Sequence, residues 1–327
     1  MNGIVRRSLV ILLTLGCAAV GLAEPGPWSA GTTDPSARYR SGSATDGTYI
    51  YVFGGADSAP VNDMWKWNPA TDTWTPLAPM PTAKMSHQGV YYDGKIYVPG
   101  GYTGSAHLTE LAIYDIATDT WTTGTAEPTA RTGTTVAFDN RVYVFAGNPG
   151  PSDETLIYDI ALDSWSYGAQ MPVATTYGRA IAVGAYGYYI GGHSGASTPA
   201  VHRYDFDGDT WTTMAPLQTG RMSPELMADG GYIYAVNGGG ASIWDGVPLA
   251  ETVEIYNIAS DAWSYGTPTM TTTVAPAGGL AGGKFMIMGG TDLGTQYDLV
   301  QVSENTVPIF ADGFEDGTTG EWSNTVP

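Results

Sequence analysis

The chain has 327 residues, 43% of them hydrophobic and only 14% charged, with 44 glycines and a net charge of −19. That mixture excludes a disordered chain, and its acidity excludes a nucleic-acid binder, which needs a basic surface. A single cysteine, Cys17, excludes a disulfide-built scaffold.

Residues 1–23 read as a signal peptide. Arg6 and Arg7 form its positive start, Ser8 to Val20 its apolar stretch, and Gly21-Leu22-Ala23 the small-residue site before Glu24-Pro25. The stretch is too short for a membrane anchor, and no later segment of the mature chain is apolar for long enough to cross a bilayer. The expected location is therefore secreted or periplasmic. Thr14-Leu15-Gly16-Cys17 loosely matches a lipoprotein box, and the alternative is a lipid anchor through Cys17. Cleavage after Ala23 removes two arginines, which makes the mature chain still more acidic.

After the leader, one pattern repeats. An apolar run ends in a glycine pair at Gly54-Gly55, Gly100-Gly101, Gly191-Gly192, Gly238-Gly239 and Gly289-Gly290, and at Ala146-Gly147, where alanine replaces the first glycine, in steps of 46, 46, 45, 47 and 51 along the chain. Downstream of the first five stand Trp74, Trp121, Trp165, Trp211 and Trp263. Seven residues before each comes an aromatic: Trp67, Tyr114, Tyr158, Tyr204 and Tyr256. A polar turn with an aspartate (Asp72, Asp119, Asp163, Asp209, Asp261) separates the two, and Asp46-Gly47, Asp93-Gly94, Asp139-Asn140, Asp229-Gly230 and Gly282-Gly283 mark a second hairpin upstream of the pair. Each unit is four short antiparallel strands whose two faces are buried only by radial stacking against neighbours.

These features resemble the kelch repeat, and the resemblance runs from Trp28 to about Asn305. It implies an all-β, six-bladed kelch-type β-propeller over residues 24–307. Blade six lacks its own tryptophan. Trp28 and Pro35 share the spacing of Trp121 and Pro128, so an N-terminal strand around Trp28 is expected to complete that blade and close the ring; Trp322 is the rival. Residues 308–327 form an acidic tail, whose Asp312-Gly313-Phe314-Glu315 and Trp322-Ser323 resemble a tail found on exported bacterial proteins.

Chemistry is sparse. There is no Gly-x-Ser-x-Gly elbow, and His87, His107, His193 and His202 share no metal-ligand spacing, so neither cofactor nor metal is expected. Kelch propellers include copper-radical oxidases, which need a cysteine missing here, and iron-dependent specifier proteins. The latter carry Glu-x-x-x-Asp-x-x-x-His, which Glu225 and Asp229 begin but Ile233 breaks. Sialic-acid mutarotases share the architecture and supply the alternative reading, a carbohydrate-active enzyme with Arg221 and Glu225 at the channel mouth.

Ten residues after each tryptophan stand Arg38, Lys84, Arg131, Thr175, Arg221 and Thr273. Symmetry places them on one rim, either as a basic ring for an anionic partner or as braces for their own loops. The loops after the glycine pairs vary most and carry Tyr102, His193 and Trp244. The main expectation is a non-catalytic binding module. Its partner, a protein, peptide or glycan, docks on Arg38, Lys84, Arg131, Arg221, Tyr102, His193 and Trp244.

Overall fold

Strong alternation is missing from the second strand of each repeat because both of its faces are covered. In the first blade Ile50–Phe53 is buried at every position. The computed structural model describes residues 25–239, 249–250, 252–292 and 295–304. The expected leader, Cys17, Trp244, Trp322 and the acidic tail lie outside these residues.

The described residues form six four-stranded antiparallel sheets around an axis. Counted outward from the axis, the strands of the first blade are Gly42–Thr45, Ile50–Phe53, Met64–Asn68 and Thr73–Leu77. Blades two to five repeat this order. The sixth takes Ala277–Ala281, Lys284–Met288 and Val300–Glu304 from the end of the chain and Ser29–Ala30 from its beginning, with Ser29 opposite Val302. Trp28 is 7% exposed and packs with Val253, Ile255, Phe285 and Ile287 between blades five and six. The six-bladed propeller closed by its N-terminal strand is thus the observed architecture.

The tryptophans do more than fill space. Each indole N–H donates to a backbone carbonyl of the preceding blade: Trp74 to Thr32, Trp121 to Ala78, Trp165 to Thr125, Trp211 to Ala169 and Trp263 to Ala215, at 2.7 to 3.0 Å. Trp28 makes the sixth such bond, to Thr267, at 3.2 Å. In five blades the amide of the same residue donates back to the turn aspartate, as Ala78 does to Asp119 at 2.8 Å. That carboxylate also accepts from the buried aromatic of its own blade, as from the Tyr114 hydroxyl at 2.6 Å. The aspartates are therefore turn-formers and also the outer latch between blades.

Nearer the axis, the glycine pairs meet the next blade. The amide of the second member donates to the carbonyl of the residue ten after the tryptophan. Gly55 donates to Lys84, Gly101 to Arg131, Gly147 to Thr175, Gly192 to Arg221, Gly238 to Thr273 and Gly290 to Arg38, at 2.8 to 3.4 Å. A Cβ on Gly100 would lie 2.2 Å from the Arg131 carbonyl oxygen, and one on Gly191 2.3 Å from that of Arg221. Both members also hold positive φ. In blade five the sequence register is off by one: the left-handed pair is Asn237-Gly238, not Gly238-Gly239. Asparagine tolerates that conformation better than other side chains, so it takes the first place there.

Replacing Trp28 by Ala removes a buried indole and the sixth outer bond, and should cost roughly 3–5 kcal/mol. Deleting residues 25–34 should lower the melting temperature further. A truncated chain that melts like the full one would mean that the N-terminal strand does not close the ring.

Candidate functional site

The four basic residues of the expected rim are inside the protein. Arg38, Lys84, Arg131 and Arg221 are 1%, 0%, 3% and 0% exposed. Each turns back into its own blade and donates to the carbonyl of the first member of the left-handed pair: Arg38 to Gly54, Lys84 to Gly100, Arg131 to Ala146 and Arg221 to Asn237. Each also meets an acid at or beside the third strand, Asp63, Glu110, Glu154 or Glu254. The expected ring of surface cations is corrected accordingly. A guanidinium or ammonium satisfies several crowded carbonyls at once, so the repeat keeps it in the interior. Burial pushes the Lys84 amine down, against Glu110 and Glu127 beside it. Burial also pushes the Glu127 carboxyl up to about 8 despite Arg131.

Two residues further along lies a ring the periodicity did not single out. Arg40, Ser86, Tyr177, Ser223 and Ala275 all hold φ between 47° and 57°, and all line a pocket at the loop end of the axis. Backbone bonds stitch them to one another: Ser86 N–H to the Arg40 carbonyl, Arg40 to Ala275 and Ser223 to Tyr177. Their backbone is the same in five blades while the side chain varies among Arg, Ser, Tyr and Ala. The signal available in the sequence was this very contrast, a variable position two residues after the basic one.

Below this mouth the channel is blocked. Arg179 reaches across from blade four and donates to the Pro224 carbonyl of blade five at 3.2 Å and the Pro276 carbonyl of blade six at 3.3 Å. Gln88, Arg179 and Glu225 each lie four residues after the bracing position of their blade, so they share one level. Gln88 accepts from Thr134 at 2.8 Å. Glu225 is buried, bonds the Ser43 hydroxyl, and carries a carboxyl that burial pushes up to about 7 against the lowering pull of Arg179. Beyond this floor a cavity of about 360 Å³ opens toward the hairpin turns, lined by the inner strands of all six blades.

Arg221 and Glu225, expected together at the channel mouth, do not meet. Arg221 bonds Glu254 at 2.5 Å, and Glu225 faces Arg179 instead. The two side chains leave strand and loop in different directions despite a separation of four residues. Tyr102 and His193 sit at equivalent places, bridging Met85 and Thr176, and both are partly exposed on the loop face. Tyr102 packs on His107 with ring centroids 4.8 Å apart and donates to the Gly104 carbonyl. His87 is buried against Phe53, and burial holds its imidazole down to about 3, hence neutral.

Comparison with known proteins adds the lineage. The model of the KLHDC2/KLHL20/DRC7 Kelch-repeats domain matches residues 27–167 and 78–240, together more than half the chain. This protein belongs to the kelch-repeat family. Kelch-like protein 25 of Homo sapiens is 26% identical over 245 residues, 70% of this chain and 41% of that protein. Kelch-like protein terF of Aspergillus terreus is 37% identical over 109 residues, 28% of this chain and 23% of that protein. Kelch-like protein 21 of Bos taurus is 40% identical over 53 residues, 16% and 9% of the two chains. This kelch chain therefore spans less than half the length of these relatives.

The raised carboxyl in the kelch channel sets a pH dependence. Glu225 titrates near 7 in the fold and near 4.5 when exposed, so its contribution is whole below 4.5 and is lost as pH rises through 7. Asp34 and Glu127 are raised in the same sense. The contribution of Glu225 is isolated by subtracting the stability of Glu225→Gln from that of the wild type. From pH 4 to 8 this difference should fall by roughly 3 kcal/mol in denaturant titrations. A difference independent of pH would mean that the Glu225 carboxyl titrates alike in the fold and in the unfolded chain.

Proposed function

We propose that this chain is a non-catalytic kelch binding module whose protein or peptide partner docks on the loop face, centred on the channel mouth. One observation carries the reading. Arg40, Ser86, Tyr177, Ser223 and Ala275 hold a left-handed backbone usually left to glycine, yet show different side chains around one opening. A repeat that needed only the backbone would use glycine at these places. Keeping arginine and tyrosine there aims a cation and an aromatic at whatever covers the mouth, the residue types that dominate interfaces.

The surrounding loops support the same face. They pack blade to blade, as where the Gln296 amide donates to the Asp57 carbonyl at 2.9 Å, and they bring partly exposed Tyr102 and His193 beside the mouth. With Arg179 closing the channel beneath, a partner rests on the mouth and does not thread through it. The acidic mature chain, carried outside the cytoplasm by its expected leader, would meet this partner in the secreted or periplasmic space. Arg40 favours an acidic side chain on it.

Residues 24–327 screened on peptide and glycan arrays should select peptides. Tyr177→Ala and Arg40→Ala should each weaken the selected peptides about tenfold with unchanged melting temperature, because Ala275 already occupies this backbone conformation. Undiminished binding by both variants would remove the mouth as the docking site.

A further inference from the structure

The cavity on the hairpin-turn side is separate from the loop face, and its chemistry differs. Its wall mixes apolar Val90, Ile181, Leu226 and Leu280 with polar Ser43, Thr45 and Thr135. Its polar floor is Gln88 and Glu225. Glu225 is only 5% exposed, and its Oε2 has no hydrogen-bond partner. An orphaned buried carboxylate oxygen costs stability unless something completes it, so its retention calls for a reason. Gly278 makes room for it: a Cβ there would sit 3.1 Å from the Glu225 side chain and 2.2 Å from the Met286 carbonyl oxygen.

Thr45, Tyr91, Ala137 and Ala228 line the cavity, and the turns just beyond carry Asp46, Asp93, Asp139 and Asp229, with Arg141 beside Asp139. The lysines of this end point away from the axis and pair with acids of the third strand, Lys95 with Asp115 and Lys284 with Glu304. Arg179 neutralises Glu225 in part but lines the pocket on the other side of the floor. A ligand coming from the turn side thus meets acidic turns, then a partly apolar wall, then a carboxylate oxygen without a donor.

We infer that the turn-side cavity is a binding site for a small organic cation, a primary ammonium on an apolar body, with the ammonium on Glu225 Oε2 and the body against the inner strands. The chain of contacts is independent of docking on the loop face. The ammonium supplies the donors that Oε2 lacks, and the volume of about 360 Å³ accommodates a short alkyl or aryl group. A carboxylate of the same shape would meet both Glu225 and the aspartates of the turns and be repelled.

Calorimetric titration of the full-length protein at pH 8 with hexylammonium, hexanol and hexanoate tests this. Hexylammonium should bind saturably, with one site and at least tenfold more tightly than hexanol, and hexanoate should not bind. Glu225→Gln should abolish the preference for the cation, and Ala182→Trp, which fills the wall, should abolish binding while the melting temperature shows that both variants fold. Equal binding of all three ligands would reduce the site to an apolar hole and overturn the inference. So would no binding at all, a channel holding water only, or a cation preference that survives Glu225→Gln. If either variant fails to fold, competition between hexylammonium and hexanol on the wild type gives the same decision.

Discussion

The ring depends on one close approach. At every junction the amide of a left-handed glycine donates to a carbonyl of the next blade, and in four of the six the residue before it is a second glycine pressed against that same carbonyl. At those four a Cβ would clash with the carbonyl oxygen, which fixes glycine; Ala146 and Asn237 hold the same place in the other two. The close approach also crowds carbonyls together near the axis, and buried carbonyls need donors. Arg38, Lys84, Arg131 and Arg221 provide them from within, each binding the first member of its own blade's pair while its own carbonyl holds the blade before. Thr175 and Thr273 keep the carbonyl half of the device without a cation.

Burying four cations has consequences for the rest of the molecule. Each needs an acid nearby, and those acids differ in how well they are solvated. Asp34 and Glu127, enclosed beside Arg38 and Arg131, are pushed up to about 6 and 8 by burial. A buried pair of this kind contributes little net stability but is costly to break, because removing one partner strands the other. It also draws basic residues inward from a chain that has only 13. Few basic residues are left for the surface, which bears on both proposed sites: Arg40 lines the loop-side mouth, and aspartates stand in the turns beyond the turn-side cavity.

Much of the fold was legible because repetition reports geometry. The apolar run, the glycine pair and the tryptophan spacing specify four strands and a radial stack, and the Trp28–Pro35 spacing was enough to place the N-terminal strand in blade six. The candidate site was less legible. Periodicity located Arg38, Lys84, Arg131 and Arg221 correctly along the chain, but it carries no information about the direction of a side chain, and all four turn inward. Arg221 and Glu225 were close in sequence and separate in space for the same reason. Of the Gln88–Arg179–Glu225 floor only Glu225 was singled out; its partners and the mouth ring were missed because they vary between blades. A search for recurrence passes over the positions where a repeat protein differs from itself, and those are the positions free to bind.

The central claim is that the junction bonds, held by the internal cations, bind the ring into one cooperative unit. Native-state hydrogen exchange at the amides of Gly55, Gly101, Gly147, Gly192, Gly238 and Gly290 measures it directly. All six should exchange only with global unfolding, at one common free energy. Arg221→Met should lower that value for all six together, by about 3–5 kcal/mol. Amides that exchange blade by blade, or an Arg221→Met effect confined to Gly192 and Gly238, would contradict it.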